Sequence, residues 1–122
     1  MYNLILSDLQ FAITNLPETS ATADRGRATK YAAKSTLALV YMTRSAPTYD
    51  IEGPGLGLNE WNLALAQLND IINSGKYSLV SSYANIFSYT NEYNSEVVFD
   101  IQYTSGIVPV VGGTFQIGRA HV

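Results

Sequence analysis

The sequence has no cysteine, few charged residues and no long apolar run, and each of these shortages excludes a class of protein. Because cysteine is absent from the 122 residues, disulfides, thiolate nucleophiles and cysteine-based metal sites are excluded. Charged residues make up 14% of the chain, below the ~25% of a typical soluble domain, which excludes a disordered charged tail. No stretch approaches the ~18 consecutive apolar residues of a membrane span. With 47% apolar residues and nine tyrosines, the composition is typical of a globular domain.

Catalytic side chains are also scarce. The only histidine is His121, close to the end of the sequence, so no nucleophile–base pair of the usual kind can be assembled. Glu96 and Asp100 could be read as a glycosidase pair. In a strand, however, four residues at ~3.3 Å each separate them by about 13 Å, beyond the ~5–9.5 Å that such pairs need. We therefore expect no enzyme, no metal and no other cofactor.

The distribution of charge along the chain bears on whether the protein binds nucleic acid. The seven basic residues are scattered along the chain, and the net charge is −3. Proteins that bind nucleic acid usually present a basic patch or stripe. No nucleic-acid partner is expected.

The two ends of the sequence are unlike those of a complete secreted protein. Residues 117–122, Ile-Gly-Arg-Ala-His-Val, match the translation of a common sequencing adapter that ends at a stop codon. We expect this tail to be adapter-derived and not part of the natural fold. At the start, Met1 runs directly into a helical pattern without the basic and apolar regions of a signal peptide. Residues 1–116 are therefore expected to be an internal fragment of a longer protein.

Apolar residues at helical spacing predict three helices. The first spans residues 2–16 and ends before Pro17, because the residue before a proline is pushed out of the helical region. The second spans residues 28–43 and the third spans residues 59–74. Two helices of similar length followed by a third resemble the rhythm of a tetratricopeptide-like repeat.

The alanines of the second helix predict how it packs. Small residues on one face let a neighbouring helix approach closely. We expect the first two helices to form an antiparallel pair, with the third against them and with Ala28, Ala32 and Ala33 at the closest approach.

Residues at both ends of the third helix indicate where it begins and where it ends. Asn59 is the predicted N-cap, and Gly75 is the predicted glycine just after the last turn. Trp61 is in helical register with other apolar residues of this helix, which predicts that it packs in the core rather than on a sugar ring.

Strand character is confined to the C-terminal part. Residues 96–103 place apolar side chains at every second position, which predicts a half-buried strand. Residues 107–111 could pair with it, and one helical turn is predicted over residues 83–87. The predicted fold class is mainly α, with α+β character at the C-terminal end: a tetratricopeptide-like helical scaffold with a short β segment, forming part of a larger fold.

Three motifs in the same order resemble the SusD/RagB family. The first is Gly-Arg-Ala-Thr-Lys-Tyr-Ala-Ala-Lys at residues 26–34. The second is Trp61 followed by Ile-Ile-Asn-Ser-Gly-Lys-Tyr-Ser-Leu at residues 71–79. The third is Asn-Ser-Glu-Val-Val-Phe-Asp-Ile-Gln-Tyr at residues 94–103. The resemblance covers nearly all of residues 1–116, which are interpreted as part of a SusD-like domain.

The resemblance implies a scaffold fragment of a nutrient-binding lipoprotein that is not an enzyme. Proteins of this family bind glycans at the surface of the outer membrane of Bacteroidota-type bacteria, where a lipid anchor holds them. They deliver oligosaccharides to a SusC-like TonB-dependent porin. The implied partners are therefore an oligosaccharide and that porin, although the family's signal peptide and lipid-bearing cysteine are not found in this sequence. No glycan-site motif of the family is present either, so no binding residue is carried over.

Candidate glycan-binding residues come instead from the loops, which carry binding side chains more often than core faces do. Tyr49 lies in a loop rich in proline and glycine, and Tyr89, Asn91, Tyr93 and Asn94 form the densest aromatic and amide patch. Such side chains suit sugar rings and hydroxyls. The plainer interpretation of both segments is a solvent-exposed loop.

The basic residues Arg25, Arg27 and Lys30 form a small cluster at the start of the second helix. The plainer interpretation is that they pair with Asp24, cap the helix or remain solvated.

A second function class stays open beside the glycan-binding scaffold. The helical rhythm is also typical of protein-interaction modules that bind peptides. A third class is an enzyme fragment whose catalytic residues lie outside this stretch.

Overall fold

The computed structural model describes residues 1–47 and 55–101, and helices dominate this part of the chain. In chain order they are α1 (Tyr2–Asn15), α2 (Lys30–Ser45), α3 (Trp61–Asn73) and the short α4 (Tyr83–Ile86), with 3-10 turns at Thr22–Asp24 and Tyr89–Asn91. The prediction of a mainly α fold is confirmed. None of these helices is both long enough and apolar enough to cross a membrane.

The end of α1 follows from Pro17. Leu16 is extended, with φ −78° and ψ 146°, and its N–H donates to the carbonyl of Ala12. Because the residue before a proline avoids the helical region, the helix ends one residue before the predicted boundary. The carbonyl of Pro17 then accepts from the N–H of Lys30 at 2.8 Å. This bond ties the end of α1 to the start of α2.

Thr29 sets the start of α2, two residues later than predicted. Its backbone is extended, and its side-chain oxygen accepts from the N–H of Ala32 at 3.3 Å. A threonine at this position satisfies an N–H of the first turn that has no partner within the helix. At the other end the helix continues to Ser45, two residues beyond the predicted boundary.

Asn59 is not the N-cap of α3, so that prediction was wrong. Its φ of 53° lies in the left-handed region, whereas an N-cap residue normally has an extended backbone. Glu60 precedes the helix instead, without a side-chain cap. Gly75 has φ 65° and directly follows the C-cap residue Ser74, which confirms the predicted glycine at that position.

Contacts at the helix ends show that α2 runs antiparallel to both α1 and α3. Arg44, near the end of α2, has its guanidinium 5.5 Å from the ring of Tyr2 at the start of α1. Its Nε atom lies 3.2 Å from Oε2 of Glu60, just before α3. Towards the other end, Nζ of Lys34 lies 2.5 Å from Oδ2 of Asp70 near the end of α3. α2 therefore packs against α1, as predicted, and α3 packs against the pair chiefly through α2.

The core is small and is centred on α2. Buried side chains of α2 and α3 form it, and partly buried ones pack around them: Leu37, Ala38, Tyr41 and Ala64, with Leu6, Leu9, Ile13, Met42 and Leu68. Full burial of one large apolar side chain stabilises the folded chain by about 1.5–3 kcal/mol. This cluster therefore supplies much of the free energy that joins the three helices.

Two of the three alanines that were predicted to lie at the closest approach of the helices are buried, as such a contact requires. Ala32 and Ala33 are buried on α2. Ala28 is exposed, because it precedes the N-cap Thr29 and lies outside the helix.

The prediction that Trp61 packs in the core was wrong, since 49% of the residue is exposed. The buried stripe of α3 runs through Ala64, Leu68 and Ile71, with Leu68 only partly buried. Trp61 and Leu65 lie on the flank of that stripe, beyond the strip of α3 that α2 covers.

The predicted strand over 96–103 is not formed at residues 96–101, and residues 102 and 103 lie outside the described part of the chain. A turn precedes it, in which the N–H of Val97 donates to the carbonyl of Asn94 at 3.1 Å. Backbone pairing with the segment after α3 involves Ser95, whose carbonyl accepts from the N–H of Ser78 at 2.9 Å. Next to it the Glu96 carboxylate, rather than a backbone carbonyl, accepts from the N–H of Val80 at 2.9 Å. A strand needs a continuous series of backbone hydrogen bonds to a neighbouring strand, and here a side-chain carboxylate takes the place of a backbone carbonyl. The candidate partner at 107–111 and the tail at 117–122 also lie outside the described residues.

Candidate functional site

An open groove lies between the α1–α2 connection and the segment that follows α4. Its volume is about 180 Å³. We name it the Arg25 groove after one of its lining residues, and its walls include Glu18, Arg25, Gly26, Lys76, Tyr77 and Tyr93. Several stretches of chain that are distant in sequence therefore meet at one surface.

The Arg25 guanidinium lies over the ring of Tyr93, with its carbon 5.6 Å from the ring centroid. Tyr93 has φ 55°, a left-handed conformation that is uncommon for residues other than glycine. Gly26 also has a positive φ, of 91°, and a Cβ built there would lie 3.6 Å from the Tyr93 hydroxyl. The loop before α2 and the turn at Tyr93 are thus fitted to each other. A residue other than glycine that is held in this conformation, as Tyr93 is, costs about 1–3 kcal/mol, and such residues cluster at functional sites.

Glu18 is the anionic centre of the groove wall. Its Oε1 lies 3.4 Å from Nζ of Lys30 and its Oε2 lies 3.5 Å from Nζ of Lys76. The hydrogen bond and charge of Lys30, helped by Lys76, hold the pKa of the Glu18 carboxyl below its ordinary value. Glu18 is therefore ionised at neutral pH, and its charge is matched by two ammonium groups.

Tyr77 supplies a partly buried hydroxyl at the same groove. Its ring makes an edge-to-face contact with Tyr31, with the ring centroids 5.8 Å apart. Burial raises the pKa of the Tyr77 hydroxyl above its ordinary value. The phenol therefore stays protonated at neutral pH and can donate a hydrogen bond.

Of the candidate residues that the sequence suggested, Tyr93 is the one that lines the groove within the described part. Tyr49 lies outside that part of the chain. Tyr89 and Asn91 belong to the 3-10 turn, and the Asn91 amide donates to the carbonyl of Asn85 at 3.0 Å. Asn94 is buried and donates to the carbonyls of Ile86 and Asn91 at 3.3 and 3.1 Å. The amide groups of Asn91 and Asn94 thus hold the turn that presents Tyr93.

Sequence reasoning missed Glu18, Arg25, Lys76 and Tyr77 as members of one site. Arg25 was interpreted as part of a solvated basic cluster, and the predicted pairing with Asp24 holds for Arg27, at 3.0 Å. The sequence feature that came closest to indicating this site was Gly26, which stands between two arginines. A glycine there can take the positive φ that brings the two loops together.

Charged, hydroxyl-bearing and aromatic side chains line the groove. Among the residues that the structure describes, no group of histidine, cysteine, aspartate or glutamate residues could hold a metal ion. The Glu96 carboxylate of the rejected glycosidase pair accepts from the backbone N–H of Val80, so it organises the loop. What the groove offers a ligand is charged and hydroxyl hydrogen-bonding groups beside aromatic rings.

Two curated proteins are similar in sequence to most of the chain. SusD-like protein P25 of Formosa agariphila is 31% identical over 103 residues, which are 84% of this chain and 17% of that protein. A SusD-like protein of Bacteroides ovatus is 33% identical over 103 residues, again 84% of this chain and 18% of that protein. The chain is therefore similar in sequence to SusD-like proteins. No family model matches it.

The likeness to SusD-like proteins also holds for the fold. The crystal structure of a SusD-like protein from Bacteroides fragilis matches with a TM-score of 0.60 and 29% identity. The match covers 85% of this chain and 18% of that one. The chain thus spans less than a fifth of the length of the curated relatives it matches.

Proposed function

We propose that the chain is part of the helical scaffold of a glycan-binding protein at the outer-membrane surface, which delivers oligosaccharides to a TonB-dependent porin. The observation that carries the proposal is the joint likeness in sequence and fold to SusD-like proteins. The antiparallel α1–α2–α3 arrangement supports it, because stacked helix pairs build rigid frames from which loops can present binding side chains.

The proposed role is binding rather than catalysis. The Arg25 groove combines hydrogen-bonding groups with the rings of Tyr77 and Tyr93, and these are contacts that suit a sugar. Its carboxylate Glu18 is ion-paired and held ionised, so it is not a proton donor at neutral pH. The proposed partners are an oligosaccharide and a SusC-like porin, and the proposed location is the outer membrane, with a lipid anchor.

The test uses the protein encoded by the complete reading frame around this chain. Affinity electrophoresis through gels that contain single polysaccharides should retard it in at least one gel, and no reducing ends should be released on incubation. Purification from detergent-solubilised outer membranes should recover a TonB-dependent porin with it.

Two results would contradict the proposal. Release of reducing ends would make the protein an enzyme. Binding of peptides, with no retardation by any polysaccharide, would favour the helical-repeat interaction module instead.

A further inference from the structure

The size of the Arg25 groove limits what it can hold. Its volume of about 180 Å³ is smaller than the ~300–1,000 Å³ of pockets that enclose a drug-sized ligand. It is also open to solvent along one side. A groove of this kind suits one unit of a longer ligand that passes across the surface.

The groove is locally cationic on an anionic chain. Arg25, Arg27 and Lys76 line it, against the carboxylates of Glu18 and Asp100, which is three positive groups to two negative ones. The whole chain carries a net charge of −3. The lining residues therefore carry a net charge of +1, and this favours a ligand with negative charge.

The cations in and around the groove are engaged in different ways. Lys76 faces Glu18 at 3.5 Å, and Arg27 faces Asp24 at 3.0 Å. Arg25 lies over the ring of Tyr93, and a cation–π contact positions a guanidinium without neutralising its charge. The fork of five N–H donors on a guanidinium matches the oxygens of a carboxylate or sulfate.

We infer that the Arg25 groove binds the oxyanion of an acidic saccharide unit, either a uronate carboxylate or a sulfate ester. Arg25 holds the oxyanion, and Tyr93 fixes Arg25 and lies beside the sugar. Glu18 does not repel the ligand, because Lys30 and Lys76 neutralise it. The saccharide part of this inference rests on the proposed function. The inference goes beyond the proposed function because it names the charge of the ligand and the residues that bind it.

The test is a nuclear magnetic resonance titration of the 122-residue chain at low salt. The probes are an oligogalacturonate, a sulfated galacto-oligosaccharide and a neutral galacto-oligosaccharide of equal length. The backbone signals of Arg25, Gly26 and Tyr93 should shift with an acidic probe, with a Kd on the order of 1 mM. Which acidic probe binds more tightly identifies the oxyanion, and added salt should weaken that binding.

The variants Arg25→Gln and Arg27→Gln form a matched pair from the same loop. Both remove one guanidinium charge, but only Arg25 is held by an aromatic ring instead of a carboxylate. Arg25→Gln should weaken binding of the acidic probe by roughly tenfold, which is the effect of losing one charge-assisted hydrogen bond. Arg27→Gln should weaken it about twofold or less, as expected for an exposed ion-paired charge. Thermal unfolding of both variants should match the parent chain.

Three outcomes would overturn the inference. They are equal shifts with neutral and acidic probes, equal losses in the two variants, and no shift with any probe. None of them decides the proposed function, because the polysaccharide experiment on the longer protein tests that independently of this groove.

Discussion

The Nε atom of Arg44 lies 3.2 Å from Oε2 of Glu60, and the two side chains are only 11% and 18% exposed. This largely buried ion pair lies where α2 ends and α3 is about to begin. Beside it, the N–H of Glu60 donates to Oγ of Ser45 at 2.6 Å. Neither Nε nor Nη1 of Arg44 makes a hydrogen bond of good geometry within the described residues. The two side chains are therefore held together by the attraction between their charges, while the hydrogen bond to Ser45 holds the backbone of Glu60.

The first prediction concerns that ion pair. Glu60→Leu should lower the free energy of unfolding by about 2–4 kcal/mol, because it leaves the Arg44 charge buried without its partner. The double variant Arg44→Met/Glu60→Leu should lose much less, since it removes both buried charges together. Urea unfolding of the four chains of the cycle measures the coupling. Losses that simply add would show that the two side chains do not stabilise each other.

The second prediction tests the close approach at α2. Ala32 is buried on this helix, so Ala32→Leu should lower the free energy of unfolding by about 1–3 kcal/mol through overpacking. Ala28→Leu adds the same side chain at an exposed position before the helix. The control should therefore change stability by less than about 0.5 kcal/mol. Equal effects in thermal unfolding would refute the close approach.

The helices could be predicted from the sequence because local chemistry sets them. Pro17 ends α1 and Gly75 follows α3, and both act through the backbone of one or two residues. The predicted boundaries fail where tertiary contacts decide instead. Asn59 takes a positive φ, which no propensity for N-caps could reveal.

Burial and the groove could not be predicted in the same way. The helical spacing of apolar residues in α3 was predicted correctly. That spacing does not indicate how wide a strip of α3 the neighbouring helix covers. Trp61 therefore remains half exposed. The Arg25 groove joins Glu18, Lys76 and Tyr93, which are far apart in the sequence. Only the packing of the loops brings these side chains together.

The third prediction concerns Gly55, which is buried beside the end of α2. A Cβ at this position would collide with the backbone carbonyl oxygens of Ala46 and Pro47. Gly55→Ala should lower the free energy of unfolding by about 1–3 kcal/mol, because backbone atoms cannot move aside as a side chain can. Gly75→Asn is the control, since asparagine tolerates a positive φ and a Cβ there meets no atom within 4 Å. Chemical denaturation of both variants checks this, and equal losses would contradict it.

The fourth prediction concerns the pKa of Glu18. The carboxyl should titrate below its ordinary value of about 4.5, chiefly because of Lys30. Because the pKa is lowered in the folded chain, the stabilisation from this pair is present above the unfolded pKa and is lost as the pH falls through the folded pKa. Lys30→Gln should raise the pKa towards the ordinary value, as followed by nuclear magnetic resonance. Lys34→Gln, which removes a lysine paired with Asp70 instead, should leave it unchanged. An equal rise in both variants would mean that net charge, not the contact, sets the pKa.

The last prediction concerns two pairs of apolar side chains on the surface. Leu4 and Phe11, seven residues apart on α1, are 66% and 70% exposed, and Leu65 and Ile72 on α3 are 54% and 69% exposed. Residues seven apart share a face of a helix, so each pair exposes two large apolar side chains on one face. Exposed apolar surface of this kind promotes association between molecules.

The isolated chain should therefore self-associate as its concentration rises, and its small core should make it only marginally stable. Light scattering across a wide concentration range should show a mass above that of the 13.3 kDa monomer. Leu65→Gln/Ile72→Gln should shift the association to higher concentration, because it removes apolar surface that would be buried between copies. Asn69→Gln changes an exposed polar residue on the same helix and should leave the association unchanged. A monomer at every concentration, with a sharp cooperative unfolding transition, would instead mean that these side chains do not drive association and that the chain is a stable unit by itself.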